Sequence, residues 1–207
     1  MEEKEIQDQL SSIRSLMERS SKFISLSGMS GILAGIYALL GAGFAYLVIY
    51  EGFCRDTYNR EFRLIGDSAG ISLVAVALLV LLLSIVTGVI LSLRKAKRKG
   101  QPIWGTASRS MLFHMATPLF AGGLLILILL FRGYYGIIGP SSLIFYGLAL
   151  VGASNFTYPM VKYLGISEVI LGLIAACLPG YGLLFWAIGF GVLHIVYGSV
   201  MYFKYDR

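Results

Sequence analysis

The sequence predicts an all-α membrane protein, a bundle of six transmembrane helices preceded by a cytoplasmic amphipathic helix. Three observations carry that prediction. Hydrophobic residues make up 57% of the 207-residue chain and charged residues 14%, with a mean hydropathy of +0.78, outside the range of soluble domains. Long intervals free of charge lie between Lys22 and Glu51, Asp67 and Arg94, Arg109 and Arg132, Arg132 and Lys162, and Glu168 and Lys204, each with room for the ~20 apolar residues that cross ~30 Å of hydrocarbon. Of the seventeen Lys and Arg, Arg55, Arg60, Arg63 and Arg132 fall outside the segments that share a side with the N-terminus. The positive-inside bias then places both termini in the cytoplasm, in a multi-pass protein of the cell inner membrane.

Residues 1–22 read as the amphipathic helix, because Ile6, Leu10, Ile13 and Met17 recur at alternating spacings of four and three among polar residues. Extended into the first span, about 24–49, the same register picks out Ser27, Gly31, Ala34, Ala38, Gly41 and Ala45. Small residues let helices approach closely in lipid, where burial of apolar surface gives no net drive. Either one helix runs through both segments, or Ser27 and Gly28 bend it at the interface. The start MEEKEIQDQ has no short apolar region of signal-peptide type, so the first span is expected to be retained.

The second span, about 70–93, leads into LRKAKRKGQPIWGTASR, a basic loop expected to rest on anionic lipid headgroups through residues 94–109. Nothing in that loop matches a nucleic-acid-binding module. The third span, about 111–131, contains Pro118, which leaves the carbonyl of His114 without its helical donor. The fourth, about 141–158, ends in GASNFTYP, where Pro159 does the same for Asn155. The fifth, about 162–178, encloses Lys162 and Glu168 and is a short or re-entrant helix if only Glu168 onward is embedded, with Ser167-Glu168 opening a helix as cap and dipole partner. Leu178-Pro179-Gly180-Tyr181-Gly182 is a turn. The sixth span, about 183–203, carries Ala187, Gly191, His194 and Gly198 on one face and is the expected neighbour of the first.

Cys54 and Cys177 lie at depths too different to pair, and Cys177 is expected to pack inside the bundle. No Gly-x-Ser-x-Gly, His-Glu-x-x-His, P-loop or dinucleotide fingerprint occurs, so the expected function is not catalytic. Alternating the spans places His114, His194, Asn155, Thr157, Tyr158 and Glu168 in the cytoplasmic half of the bundle, as candidates for a polar pocket that binds or transports a small molecule or ion. Within it, Glu168 beside His194 can carry a proton. A second reading makes the protein a membrane adaptor or signalling protein that recruits a cytoplasmic partner, or its own copy as a homo-oligomer, through residues 2–19. A third uses His114 and His194 as ligands of haem or a metal.

Overall fold

The computed structural model describes residues 26–56, 68–98, 100 and 104–206, and these are helical with short connections and no strand. The predicted helix over residues 1–22 lies outside the described residues. Among the described residues, six helices are long and apolar enough to cross a membrane, so the protein is a multi-pass helical bundle. Their bounds differ from those expected, for reasons that lie mainly in capping and proline chemistry.

Helix α1 spans Gly28–Asp56 and follows two non-helical residues, Leu26 and Ser27. It therefore starts at Gly28 instead of residue 24, with the Gly28 N–H donating to Asp206 Oδ2 at 2.8 Å. Helix α2 spans Ser68–Arg98 and α3 spans Thr106–Phe131, passing through Pro118. A 3-10 turn, Tyr135–Ile137, enters α4, Ile138–Ser154. Tyr158, held extended at ψ 138°, precedes Pro159 at the first turn of α5, Pro159–Cys177. A proline disfavours helical geometry in the residue before it and suits the first helical turn. The fourth span therefore stops four residues earlier than expected and the fifth begins three earlier. With nineteen residues, α5 is long and apolar enough to cross a membrane.

The sixth helix, α6, spans Gly182–Asp206. It changes type along its length: α-helical over Gly182–Trp186, π-helical over Ala187–Leu193, α-helical over His194–Met201 and π-helical over Tyr202–Asp206.

α4 and α5 form the most extensive pair. A Cβ on Gly147 would stand 2.6 Å from the Gly165 carbonyl, and one on Gly165 would stand 2.7 Å from the Gly147 carbonyl. α6 lies on this pair and α1 lies on α6, while α2 flanks α1 and α3 flanks α4. Leu143 and Ala149 of α4 are fully buried, whereas Phe113, Phe120 and Phe131 of α3 are each more than 70% exposed. Leu78, Leu82 and Val86 of α2 are also exposed. Such continuous apolar faces suit lipid and would be a liability in water. Cys177, expected inside, is exposed at the end of α5, because it is Ala175 that turns inward there.

Candidate functional site

α4, α5 and α6 each contribute one polar side chain from the middle of a span. Tyr146 is the ninth of seventeen residues in α4, Glu168 the tenth of nineteen in α5, and His194 the thirteenth of twenty-five in α6. Glu168 has 0% exposure and His194 6%. His194 Nδ1 lies 3.0 Å from the Gly189 carbonyl oxygen and 3.4 Å from Glu168 Oε1, and its Nε2 lies 2.8 Å from the Tyr146 hydroxyl. A carbonyl only accepts, so Nδ1 carries the hydrogen and donates to Gly189. In the neutral ring Nε2 is then the acceptor and the Tyr146 O–H donates to it.

The π-helical segment makes this geometry. Gly189 is five residues before His194, and the wider π turn leaves that carbonyl facing the imidazole. Gly189 also creates the space for the acid, since a Cβ there would lie 2.5 Å from Glu168 Oε2 and 2.5 Å from Leu143 Cδ2. Among the described residues, the two Glu168 oxygens are the buried side-chain polar atoms with no hydrogen-bond partner. No family model, curated protein or solved structure matches the chain. The site must therefore be read from its own chemistry.

The expectation that Ser167-Glu168 starts a helix is overturned. Both lie mid-helix, where the Ser167 hydroxyl donates to the Tyr163 carbonyl at 2.9 Å instead of capping. Glu168 consequently has no helix N-terminus to neutralise it, and its depth has no capping explanation.

The remaining candidates are dispersed. His114 is exposed on α3, with Nδ1 2.8 Å from the Ser110 carbonyl and its ring 4.8 Å from that of Phe156. It shares none of these contacts with His194, and among the described residues no group of three His, Cys, Asp or Glu could hold a metal ion. Asn155 is exposed at the end of α4, while Thr157 and Tyr158 are buried in the α4–α5 turn. Pro159 therefore opens a new helix and does not kink an existing one at Asn155.

Tyr158 belongs to a second polar cluster, at the end of the bundle where α1 begins and α2 and α6 finish. Lys95 Nζ donates to the Leu26 carbonyl at 2.6 Å, to the Tyr158 hydroxyl at 3.3 Å and to Asp206 Oδ1. Asp206 Oδ2 also accepts from the Ser27 hydroxyl at 3.2 Å. One lysine and one aspartate thus tie three helices and the α4–α5 turn together.

Of the small-residue seam, Ser27 and Ala38 are buried, and Gly31 lies against Gly198. Gly191 receives Leu39, whereas Gly41 turns toward Val80 of α2. Ala34 and Ala45 are half-buried. Gly28 and Gly35, off the predicted seam, make the closest approaches to α6, because an α-helix drifts from a strict seven-residue repeat.

The sequence reading missed Tyr146, Gly189, Lys95 and Asp206. Tyr146 had one visible signal, a polar-tipped aromatic at the centre of the fourth apolar interval. A cavity of about 430 Å³ lined by Leu129, Tyr134, Gly136, Ile137, Ala175, Ala176 and Pro179 lies at the opposite end of the bundle from Lys95. It is apolar and distinct from the expected polar pocket.

Proposed function

We propose that the protein binds or moves a small molecule or ion at a site in mid-membrane centred on Glu168 and His194, reached from the cytoplasm. One observation carries this reading: Glu168 is a fully buried carboxyl with no hydrogen-bond donor on either oxygen, halfway along a membrane-spanning helix. An ionisable side chain at that depth costs on the order of 3 kcal/mol by insertion scales and marks a functional site by default. A structural acid would have its oxygens satisfied. Here the neighbours satisfy one another and leave the acid open.

The orientation follows the charge bias, with both termini in the cytoplasm and the membrane taken as the cell inner membrane. The Lys95, Asp206 and Tyr158 cluster then lies at the cytoplasmic end, and the basic 94–109 segment rests on anionic headgroups. Arg109, whose guanidinium lies 5.7 Å from the centre of the Trp104 ring, suits such an interface.

Purified protein reconstituted in liposomes tests the reading. Na⁺, K⁺ and pH gradients are imposed in turn, and decay is compared with that of empty liposomes. At least one gradient collapses faster with the wild-type protein, and the excess is absent with Glu168→Gln and His194→Ala. Equal decay in wild-type and empty liposomes for every gradient contradicts the movement of ions through this site.

A further inference from the structure

The proposed site does not fix which ion it takes, but its donor set does. A Na⁺-like or Ca²⁺-like hard cation is held by several oxygens converging at 2.3–2.6 Å in the calcium case. Around Glu168 those oxygens are missing or engaged. Oε2 lies beside Gly189, where an added Cβ would meet it together with methyl carbons of Leu143 and Leu171, and no hydrogen-bonding group reaches it. The Gly189 carbonyl accepts from His194 Nδ1, and the Tyr146 hydroxyl is taken by His194 Nε2. What stands 3.4 Å from Oε1 is an N–H donor, which repels a cation and attracts a carboxylate.

Resting on the function proposed above, we infer that the ion bound at this site is the proton, held one at a time by the Glu168 carboxyl and the His194 imidazole together. With the site empty, Glu168 is a carboxylate and His194 is neutral, with Nδ1–H directed to Gly189 and Nε2 accepting from Tyr146. The net charge is −1. Loading transfers one proton from hydronium to a Glu168 oxygen, forming an O–H bond and releasing water, or to Nε2, forming an N–H bond. In the second case the Tyr146 hydroxyl turns its lone pair toward Nε2, a rotation open to a group that both donates and accepts.

Either loaded form is neutral overall, as a carboxylic acid beside an imidazole or as a carboxylate beside an imidazolium. Geometry and charge favour a single proton in the same way. A second would leave an uncompensated positive charge, and none leaves an uncompensated negative one, where Glu168 and His194 are both buried.

The groups facing Glu168 complete this account. From α4 the titratable group is Tyr146 and from α6 it is His194, while the nearest titratable neighbours on α5, Lys162 and Tyr163, are exposed. α1, which backs α6 here, presents Gly35 and Leu39 to Gly191. Lys95 and Asp206 are engaged with each other at the end of the bundle.

Infrared spectroscopy of the full-length protein in lipid nanodiscs tests the inference. A band that bleaches as pH rises, either the carbonyl stretch of a protonated carboxylic acid or a ring mode of the imidazolium, should be absent from Glu168→Gln and return, shifted, in Glu168→Asp. Adding Na⁺ or K⁺ at constant pH should leave the band unchanged. A band unaffected by Glu168→Gln overturns the inference. Conversion of the band by Na⁺ or K⁺ at constant pH also overturns it, while leaving an ion site at Glu168 and hence the proposed function in place. Correct assembly of each variant is read from its helical circular dichroism and elution volume, and Glu168→Asp keeps the test decisive if the glutamine protein misassembles.

Discussion

Replacing Glu168 with methionine should make the bundle more stable, not less. Methionine has nearly the shape of glutamate without its oxygens. Both of those oxygens are buried without hydrogen-bond partners, and an unsatisfied buried polar group costs about 1–3 kcal/mol. The loss to the neighbourhood is small, because His194 keeps its 3.0 Å bond to Gly189 and its 2.8 Å bond to Tyr146. The net expectation is a stabilisation of about 1–3 kcal/mol, equivalent to roughly 2–4 °C in Tm per kcal/mol for a chain of this size. Thermal unfolding of both proteins in the same detergent, followed by circular dichroism, measures it. Ion-dependent activity should be lost at the same time, as expected when a group destabilises the fold in the service of function. A Tm that falls by a similar amount would refute the reasoning, since it would mean that Glu168 is held by favourable interactions and is structural.

Gly198→Ala should separate α1 from α6 and destabilise by about 1–3 kcal/mol, because the added Cβ would meet Ile32 N at 2.7 Å and Gly28 O at 2.9 Å, both backbone atoms with no rotamer to change. The same thermal melt reads it, and an unchanged Tm would show that the helices yield at little cost. Lys95→Met should cost about 1.5–3 kcal/mol, in the range of hydrogen bonds to charged groups, because Asp206 loses its cationic partner where both side chains are 10% exposed. Adding Asp206→Asn should recover part of that loss, and a strictly additive double mutant would show that the two do not interact.

The membrane fold was legible because hydropathy averaged over ~20 residues needs no tertiary information. The ends of the spans were less so. The start of α1 depends on Asp206, a residue 178 positions away, and sequence does not show such a cap. The α4–α5 boundary was legible in principle, since Pro159 favours an extended Tyr158 and a helix that starts with proline; Pro159 was read instead as freeing the Asn155 carbonyl within the fourth span. That error carried over to Glu168. With the fifth span started late, Ser167-Glu168 resembled a helix cap, and the acid acquired a mundane explanation that its true mid-helix position removes.

His194 stood out because it shares a face with Gly191 and Gly198, and the matching small residues of the first and sixth spans identified them as neighbours. Tyr146 and Gly189 were hidden for a different reason. Depth can be counted along a helix, but azimuth around a bundle cannot, and the π-helical turn that aims the Gly189 carbonyl at His194 leaves no composition signature.

The most direct measurement is a difference titration of the purified protein, counting the protons bound per chain by the wild type and by Glu168→Gln across the same pH range. If Glu168 and His194 share one exchangeable proton in the middle of the membrane, the wild type should bind one more proton per chain than the variant. Superimposable titrations would contradict the account at its centre.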